Sequence, residues 1–162
     1  MSTIAPAVSG LVCRRAERAD LPRLLELLAD DDLGRGREAA AGSDPAYERA
    51  FASIDADRNQ LLLVGEVDGR VIAMLQLTFI AGLARRGAWR ANIEAVRVAS
   101  ELRNRGIGAW LIAQALRRAR AHGCRFAQLT SDKRRTEAHR FYRRLGFVAS
   151  HEGFKISLEE RA

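Results

Sequence analysis

IEAVRVASELRNRGIG, residues 93–108, joins the end of a predicted strand to the start of a predicted helix through a turn of arginines and glycines. Glycine lets the backbone turn tightly and lets a ligand approach it closely. The first turn of a helix has free N–H groups at the positive end of the helix dipole, and both favour phosphate. Arg103 and Arg105 add positive charge beside Gly106 and Gly108. The segment predicts a phosphate-binding turn, although a short glycine turn alone also fits a purely structural role.

The strand before this turn, residues 89–98, changes its alternation of polar and apolar side chains. Apolar residues occupy odd positions as far as Ala95, and then Val96 and Val98 occupy even positions. A one-residue shift of side-chain register inside a strand is what a β-bulge produces. We therefore predict a bulge at Ala95 and Val96.

The elements after the turn predict a parallel pair of strands. Residues 106–122 have a helical period of apolar positions that ends at Gly123. Residues 125–130 then predict a buried strand. Because a helix separates it from residues 89–98, the two strands should be parallel.

The elements before the turn predict an antiparallel region. Residues 59–67 and 71–80 are apolar runs joined by Asp68-Gly69, a strong hairpin signal, and residues 82–87 predict a basic turn. The remaining predictions are a flexible start at residues 1–10, a strand at 11–15, helices at 19–29 and 45–54, a mobile loop at 30–42, a short helix capped by Thr136 and ended by Gly146, and closing strands at 147–149 and 154–158.

The fold class predicted by this order is α/β, with a mixed, mostly antiparallel twisted sheet of six or seven strands and about four helices. A length of 162 residues, 48% hydrophobic and 29% charged, fits a single globular domain over residues 1–162. No run approaches the roughly 18 apolar residues of a membrane span, and the N-terminus lacks a secretion signal, so we expect a cytoplasmic protein without a membrane partner. Cys13, Cys124 and the three histidines lack metal-type spacing, so we expect no metal and no disulfide framework.

Positive charge is concentrated in the second half of the chain. Residues 1–90 contain 12 Lys and Arg against 13 Asp and Glu, whereas residues 91–162 contain 15 against 7. A basic half favours an anionic partner, either a phosphate-bearing cofactor or nucleic acid, or it is solvated surface. Few aromatic residues lie among these arginines and no nucleic-acid-binding motif is present, so we do not expect a nucleic-acid partner.

Three segments, taken together and in order, resemble motifs of the GCN5-related N-acetyltransferase (GNAT) family: Val96-Arg-Val98, Arg103-x-x-Gly106-x-Gly108 and Ala138-x-x-Phe141-Tyr142-x-x-Leu145-Gly146-Phe147. The order of elements resembles that family over nearly the whole chain. The resemblance implies a central parallel pair that splays apart. It also implies an N-acetyltransferase that uses acetyl-CoA as co-substrate and acts on the primary amine of a small molecule or peptide.

The resemblance also implies where acetyl-CoA binds. The main-chain groups of Val96 and Val98 would hold its pantetheine arm like an added strand, while their side chains fit the core. The pyrophosphate would rest on the amides of the turn. The implied cofactor-binding residues are Val96, Arg97, Val98, Arg103, Asn104, Arg105, Gly106, Ile107, Gly108, Ala109, Ala138 and Phe141.

Two residues are candidates for proton transfer. An alkyl amine has a pKa of roughly 10 and needs a base, and Glu94 lies just before the bulge, where an equivalent glutamate serves several family members through water. A surface glutamate balanced by Arg90 or Arg97 is the alternative. Tyr142 is the candidate acid, because phenol and thiol have similar pKa values of roughly 10 and 8.5; it could instead pack in its helix stripe. Neither cysteine lies near this region, so we expect direct attack in a ternary complex.

Arg135 departs from the family pattern, in which many relatives have asparagine three residues before the alanine of the last motif. The basic run at residues 133–135 fits either the adenosine phosphates or a solvated loop. The alternatives to an enzyme are a catalytically silent acetyl-CoA sensor and a basic nucleic-acid-binding module. The acceptor pocket is expected at residues 30–53 and 82–87, which have no readable motif, and the closing strands are candidates for a homodimer contact.

Overall fold

A computed structural model describes residues 8–30 and 44–158 of the chain. The chain divides into two compact units, Met1–Leu129 and Thr130–Ala162, and each is described by itself. Most of the predicted flexible start and most of the predicted loop at residues 30–42 lie outside the described residues. Within the described part, no helix is both long enough and apolar enough to cross a membrane.

The first unit is built on one sheet. Its five strands are β1 Val12–Arg15, β2 Gln60–Val67, β3 Arg70–Ile80, β4 Arg90–Val98 and β5 Phe126–Leu129, in that spatial order. β1 to β4 pair antiparallel, whereas β4 and β5 pair parallel, which confirms the pairing expected from the helix between them. The sheet is mixed and mostly antiparallel as predicted, with five strands rather than six or seven.

Among the described residues, the first unit has three helices of eight residues or more, α1 Leu21–Ala29, α2 Pro45–Ala56 and α3 Ile107–Ala121, and a single helical turn at Ala84–Gly87; the second unit has α4 Thr136–Arg144. Each of the helices α1 to α4 lies in a segment predicted to be helical. Asp44 caps α2, because its carboxylate accepts the amide N–H of Ala46 at 2.8 Å. The predicted cap at Thr136 is wrong: Thr136 is already the first helical residue, and Arg135 precedes it without a side-chain capping bond.

The hairpin between β2 and β3 closes through Asp68 and Gly69, whose φ angles are 48° and 76°. Positive φ at both central residues is typical of a type I′ turn, whose twist matches that of the strands. The resulting register places Leu63 opposite Leu75 and Val64 opposite Met74, so neighbouring positions face opposite sides of the sheet. The predicted hairpin is confirmed.

One face of the sheet packs against α3, from which Ile107, Leu111 and Ile112 are buried. The ring of Trp110 lies 3.3 Å from the place where a Cβ would stand on Gly65 of β2, a tight contact, so a larger residue there would require the ring to shift by a few tenths of an ångström. Burial of each such leucine or isoleucine stabilises the fold by about 1.5–3 kcal/mol. This packing fixes the start of α3 beside the end of β4.

The opposite face packs against α1 and α2. Two buried leucines of α1 and Phe51 of α2 form an apolar cluster with Leu62 and Met74. The next side chains on the same face are Gln60 of β2 and Gln76 of β3, which belong to no buried cluster and are half-buried. The apolar contact with the helices therefore covers only part of this face, and the rest of it is polar.

The second unit contains α4 but no strand among its described residues. The predicted closing strands at residues 147–149 and 154–158 are therefore wrong. Phe154, Ile156 and Leu158 alternate as in a strand, yet they are 91%, 86% and 91% exposed. A strand needs partners for its backbone groups as well as an apolar pattern. β5 ends the sheet at its edge with Phe126 exposed, so the prediction that β5 is buried is also wrong.

Candidate active site

β4 contains the predicted bulge. Glu94 pairs with Gln76 and Arg97 pairs with Met74, so two residues of β4 oppose one residue of β3. The first of the two, Ala95, has a φ of 51°, the left-handed conformation of one common bulge type. The change of side-chain parity in the sequence therefore located the bulge correctly.

The parallel pairing of β4 with β5 ends just before this bulge. It runs from Arg90 opposite Phe126 to Ile93 opposite Leu129, and no described residue of the sheet pairs with β4 beyond Ile93 on that side. We call this side of residues 94–98 the open edge of β4. Its existence agrees with the splayed parallel pair implied by the family resemblance.

Main-chain amides point toward the open edge. The N–H of Ala99 donates to the carbonyl of Ile72 on β3 at 2.9 Å. Because successive backbone groups of a strand alternate in direction, the N–H groups of Val96 and Val98 point away from β3. A ligand at the open edge would meet these two amides first.

The carbonyls at the open edge already accept hydrogen bonds from arginines. Nη1 of Arg97 donates to the carbonyl oxygen of Val96 at 3.0 Å, and Nε of Arg103 donates to that of Val98 at 3.2 Å. Both arginines belong to the predicted cofactor-binding set. The two arginine side chains thus bond the carbonyl oxygens of the open edge, whereas its N–H groups remain directed away from β3.

The turn between β4 and α3 has the conformation expected for anion binding. Asn104 and Gly106 have φ angles of 63° and 79°, and Gly106 is the N-cap of the helix. The amide of Trp110 makes the first helical bond, to the carbonyl of Gly106 at 3.0 Å. The N–H groups before it have no partner within the helix. They belong to Ile107, Gly108 and Ala109.

Arg103 has a structural partner that the sequence did not reveal. Its Nη2 donates to the backbone carbonyl and to the carboxylate of Asp30, the latter at 3.2 Å. The same carboxylate accepts the amide of Ser100 at 2.8 Å. Asp30 lies directly after α1, so this cluster ties the end of α1 to the segment that leads into the turn. The side chain of Arg103 is therefore engaged, whereas Arg105 is exposed.

Glu94 is exposed and lies opposite Gln76, one residue before the bulge. It forms no ion pair with Arg90, with Arg97 or with another cation of the described residues. The alternative of a glutamate balanced by a neighbouring arginine is therefore not observed. A carboxylate in this position remains able to accept a proton.

Polar side chains surround Glu94 on the same face of the sheet. Nε2 of Gln76 donates to Oε1 of Gln60 at 2.8 Å, and Nε2 of Gln128 donates to Oδ1 of Asn92 at 3.4 Å. Thr78 lies opposite Asn92. We call these five residues the polar rows. No motif in the sequence joins these residues, although Gln76 and Thr78 interrupt the apolar run of β3 at positions of one parity.

The other predicted site residues lie together on α4 in the second unit. Ala138, Phe141 and Tyr142 are half-buried there. The ring centroid of Tyr142 lies 5.1 Å from that of Phe141 and 5.8 Å from that of Phe147, both in edge contacts. The packing interpretation therefore holds for the ring of Tyr142. A role for its hydroxyl in proton transfer stays a prediction.

Two members of the basic run in the second unit have acidic partners. Arg134 makes two bonds to Asp132, at 2.8 and 3.0 Å, and Lys133 lies 3.7 Å from Glu152. The hydrogen bonds from Arg134 hold the pKa of Asp132 well below its usual range. Both ion pairs are exposed, which supports the solvated-loop interpretation for Lys133 and Arg134.

Neither cysteine has the environment of a nucleophile. Cys13 and Cys124 are free thiols, and burial raises the pKa of each. Because the thiolate is the reactive form, a raised pKa disfavours an acetyl-cysteine intermediate. Across the residues that the structure describes, no three His, Cys, Asp or Glu side chains are grouped as metal ligands.

Comparison with known proteins identifies relatives over most of the chain. A family model described as the acetyltransferase (GNAT) family matches residues 21–147. The aminoalkylphosphonate N-acetyltransferase of Salmonella typhimurium is 31% identical over 113 residues, which are 70% of this chain and 73% of that protein.

Solved structures share the fold. A protein from Bacillus halodurans, named as a transcriptional regulator, is 44% identical with a TM-score of 0.88, over 91% of this chain and 99% of the other. An acetyltransferase from Trypanosoma brucei is 25% identical with a TM-score of 0.73, again over 91% and 99% of the two chains.

Proposed function

Because this chain belongs to the acetyltransferase (GNAT) family, we propose that it transfers the acetyl group of acetyl-CoA to a primary amine by direct attack in a ternary complex. The observation that supports this most is the open edge of β4, which lies between the end of the parallel pairing and an anion-binding turn. A long thioester with a phosphorylated end has the shape and charge to occupy both.

The first unit would hold the co-substrate mainly through its backbone. The pantetheine arm accepts hydrogen bonds from the amides of Val96 and Val98, as an added strand does. The pyrophosphate rests on the amides of residues 103–109, where Arg105 and the positive end of α3 favour negative charge. Ala138 and Phe141 are assigned to the cofactor by their motif alone.

The reaction needs one base and one acid. Glu94, through a water molecule, takes the proton of the ammonium group, and the neutral nitrogen then attacks the thioester carbonyl. The C–N bond forms, the C–S bond breaks, and an amide near Val96 stabilises the negative oxygen in between. Tyr142 supplies the proton of the leaving thiolate. The first proton lost by the amine passes from Glu94 to solvent, and the second, lost from the nitrogen as the C–S bond breaks, restores the phenol of Tyr142, so the products are the acetamide and coenzyme A.

The polar rows are the surface on which we place the acceptor. They lie beside Glu94 on one face, and side-chain amides both donate and accept hydrogen bonds, so they suit a hydrophilic amine. Aminoalkylphosphonates, named as the substrate class of the Salmonella relative, are the first acceptors to test. Their phosphonate oxygens would accept from the amide groups of Gln76 and Gln128.

A second candidate is a sensor that binds acetyl-CoA without turning it over. The observation that favours it is the name of the Bacillus halodurans protein, a transcriptional regulator, at 44% identity. Such a sensor needs the open edge and the turn but has no use for Glu94 as a base.

Release of coenzyme A, measured with a thiol reagent across a panel of amines, separates the two candidates. The panel contains aminoalkylphosphonates, polyamines, amino sugars, amino acids and peptides. Glu94→Gln and Tyr142→Phe are compared with wild type and with Glu137→Gln, an exposed glutamate of α4. Calorimetric binding of acetyl-CoA with no release for any amine would support the sensor. An absence of binding would refute both candidates.

A further inference from the structure

The turn between β3 and β4 holds two arginines in an unusual backbone conformation. Arg85 has φ 55° and ψ 39°, Arg86 has φ 61° and ψ 46°, and Gly87 follows with a φ of 73°. Three successive residues are thus left-handed, a conformation in which only glycine avoids strain. Strain at residues other than glycine is a feature of binding and catalytic sites. This turn therefore requires a functional explanation.

Two further arginines lie against this turn. Nη1 of Arg125, just before β5, lies 3.5 Å from the carbonyl oxygen of Arg85. Nη1 of Arg90, the first residue of β4, lies 3.6 Å from the place of a Cβ on Gly82 in the same turn. We call Arg85, Arg86, Arg90 and Arg125 the arginine patch.

The charges of the arginine patch are not compensated by any carboxylate of the described residues within ion-pair distance. Other arginines of the first unit behave differently: Arg14 pairs with Asp20 at 2.6 Å and Arg70 with Glu101 at 2.9 Å. Like charges gathered at and beside one turn repel each other unless an anion lies between them.

The arginine patch is separate from the proposed catalytic residues. Arg90 begins β4, whereas the bulge is at Ala95. Five residues of strand span about 16 Å at the usual rise of roughly 3.3 Å per residue. The patch lies at the paired end of the parallel strands, whereas the open edge proposed to hold acetyl-CoA lies at the other end.

We propose that the arginine patch binds the phosphate backbone of a nucleic acid. Guanidinium groups form paired hydrogen bonds with phosphate oxygens, and a rigid turn holds Arg85 and Arg86 ready for successive phosphates. The Arg85 guanidinium lies over the ring of Phe126, 5.1 Å from its centroid, so this part of the surface presents a cation and an aromatic ring together, as surfaces that bind single strands do. An anionic membrane fits less well, because Leu83 is the single large exposed apolar side chain of the turn.

This proposal revises the expectation from sequence that no nucleic acid binds. Arg85, Arg86 and Arg90 belong to the half of the chain in which acidic residues outnumber basic ones, and Arg125 belongs to the other half. Their proximity arises from the pairing of β4 with β5, where Arg90 opposes Phe126. Counting charges along the sequence does not reveal that these arginines lie near one another.

The test is fluorescence anisotropy with labelled single-stranded and duplex oligonucleotides of mixed sequence, titrated at several salt concentrations. Arg85→Gln/Arg86→Gln should bind at least about tenfold more weakly than wild type near 100 mM salt. Loss of two phosphate contacts should lower the slope of log K against log salt by about 1.4 for single strands or 1.8 for duplex. The matched control is Arg49→Gln/Arg58→Gln, which removes the same charge from exposed positions elsewhere in the unit and should change affinity less than about twofold.

A second variant separates binding from folding. Arg85→Gly/Arg86→Gly should relieve the left-handed strain and raise the Tm by a few degrees, yet lose binding as the glutamine pair does. The Kd for acetyl-CoA in calorimetry should stay unchanged in both pairs. Wild type that fails to bind oligonucleotide at about 50 mM salt would overturn the proposal. So would an equal loss in the control pair, or tighter binding to phosphatidylserine vesicles than to either oligonucleotide.

Discussion

Alanine at the two glycines that flank α3 should separate cofactor binding from helix stability. Gly106 is the N-cap with a φ of 79°, and Gly123 follows the last turn with a φ of 87°. A Cβ on Gly123 would have no neighbour within 4 Å, so alanine there adds only backbone strain. Gly106→Ala adds the same kind of strain at the proposed phosphate turn. The two substitutions therefore form a matched pair on one helix.

The expected magnitude follows from the backbone conformation. An L-residue in the left-handed region costs about 1–2 kcal/mol, and replacing glycine reduces the entropy of the unfolded chain, which offsets about 0.4–1 kcal/mol. Each variant should lose about 1 kcal/mol of unfolding free energy and about 2–4 °C in Tm. If the turn at residue 106 relaxes to avoid the strain, acetyl-CoA must restore it on binding. The free energy of restoring the strained turn, about 1 kcal/mol, corresponds to an affinity for acetyl-CoA about fivefold weaker.

Differential scanning calorimetry gives the two Tm values, and isothermal titration gives the Kd for acetyl-CoA. We expect similar losses of Tm in both variants and a higher Kd in Gly106→Ala alone. An unchanged Kd in Gly106→Ala would refute the assignment of the turn to the phosphates. An equal rise of Kd in Gly123→Ala would show that affinity follows the stability of α3 instead.

Three further predictions concern other residues. Glu94→Gln should lower kcat by about 10²–10⁴-fold at neutral pH, with a smaller loss near the pKa of the amine, while the Kd for acetyl-CoA in calorimetry stays constant. Gln76→Leu should raise the KM of the acceptor about five- to tenfold in steady-state assays, and leave that of acetyl-CoA unchanged. The hydrogen bonds of Arg14 lower the pKa of Asp20. Ionised Asp20 therefore stabilises the folded state at pH values above the unfolded pKa of about 3.9, and this stabilisation is lost as pH falls through the folded pKa. Urea unfolding should therefore find Asp20→Asn less stable than wild type at pH 7, with the difference vanishing at pH values below both pKa values.

Features encoded locally were predictable from the sequence. The Asp68-Gly69 turn follows from the backbone freedom of those two residues, and the bulge follows from the parity of Ala95 and Val96. The turn at Gly106 follows from a glycine between a strand and a helical period. Each of these depends on neighbours within a few positions, which is the range over which side-chain pattern determines backbone conformation.

Features that depend on distant partners were not predictable. Asp30 contacts Arg103 across 73 positions of sequence, and no motif joins them. The five residues of the polar rows meet only through the register of four strands. The pattern at residues 154–158 is that of a strand, but pattern alone does not supply a partner for its backbone groups.

The open edge and the turn occupy one uninterrupted stretch, residues 94–108, whereas the polar rows are assembled from β2, β3, β4 and β5. Most of the proposed acceptor surface can therefore mutate without altering the stretch that is proposed to bind acetyl-CoA. Exchanging Gln60, Gln76 or Gln128 would retune acceptor preference in small independent steps. In a scaffold divided in this way, the proposed acceptor surface can diversify while the proposed acetyl-CoA-binding stretch stays the same. It is therefore a suitable starting point for laboratory selection of variants that use new acceptors.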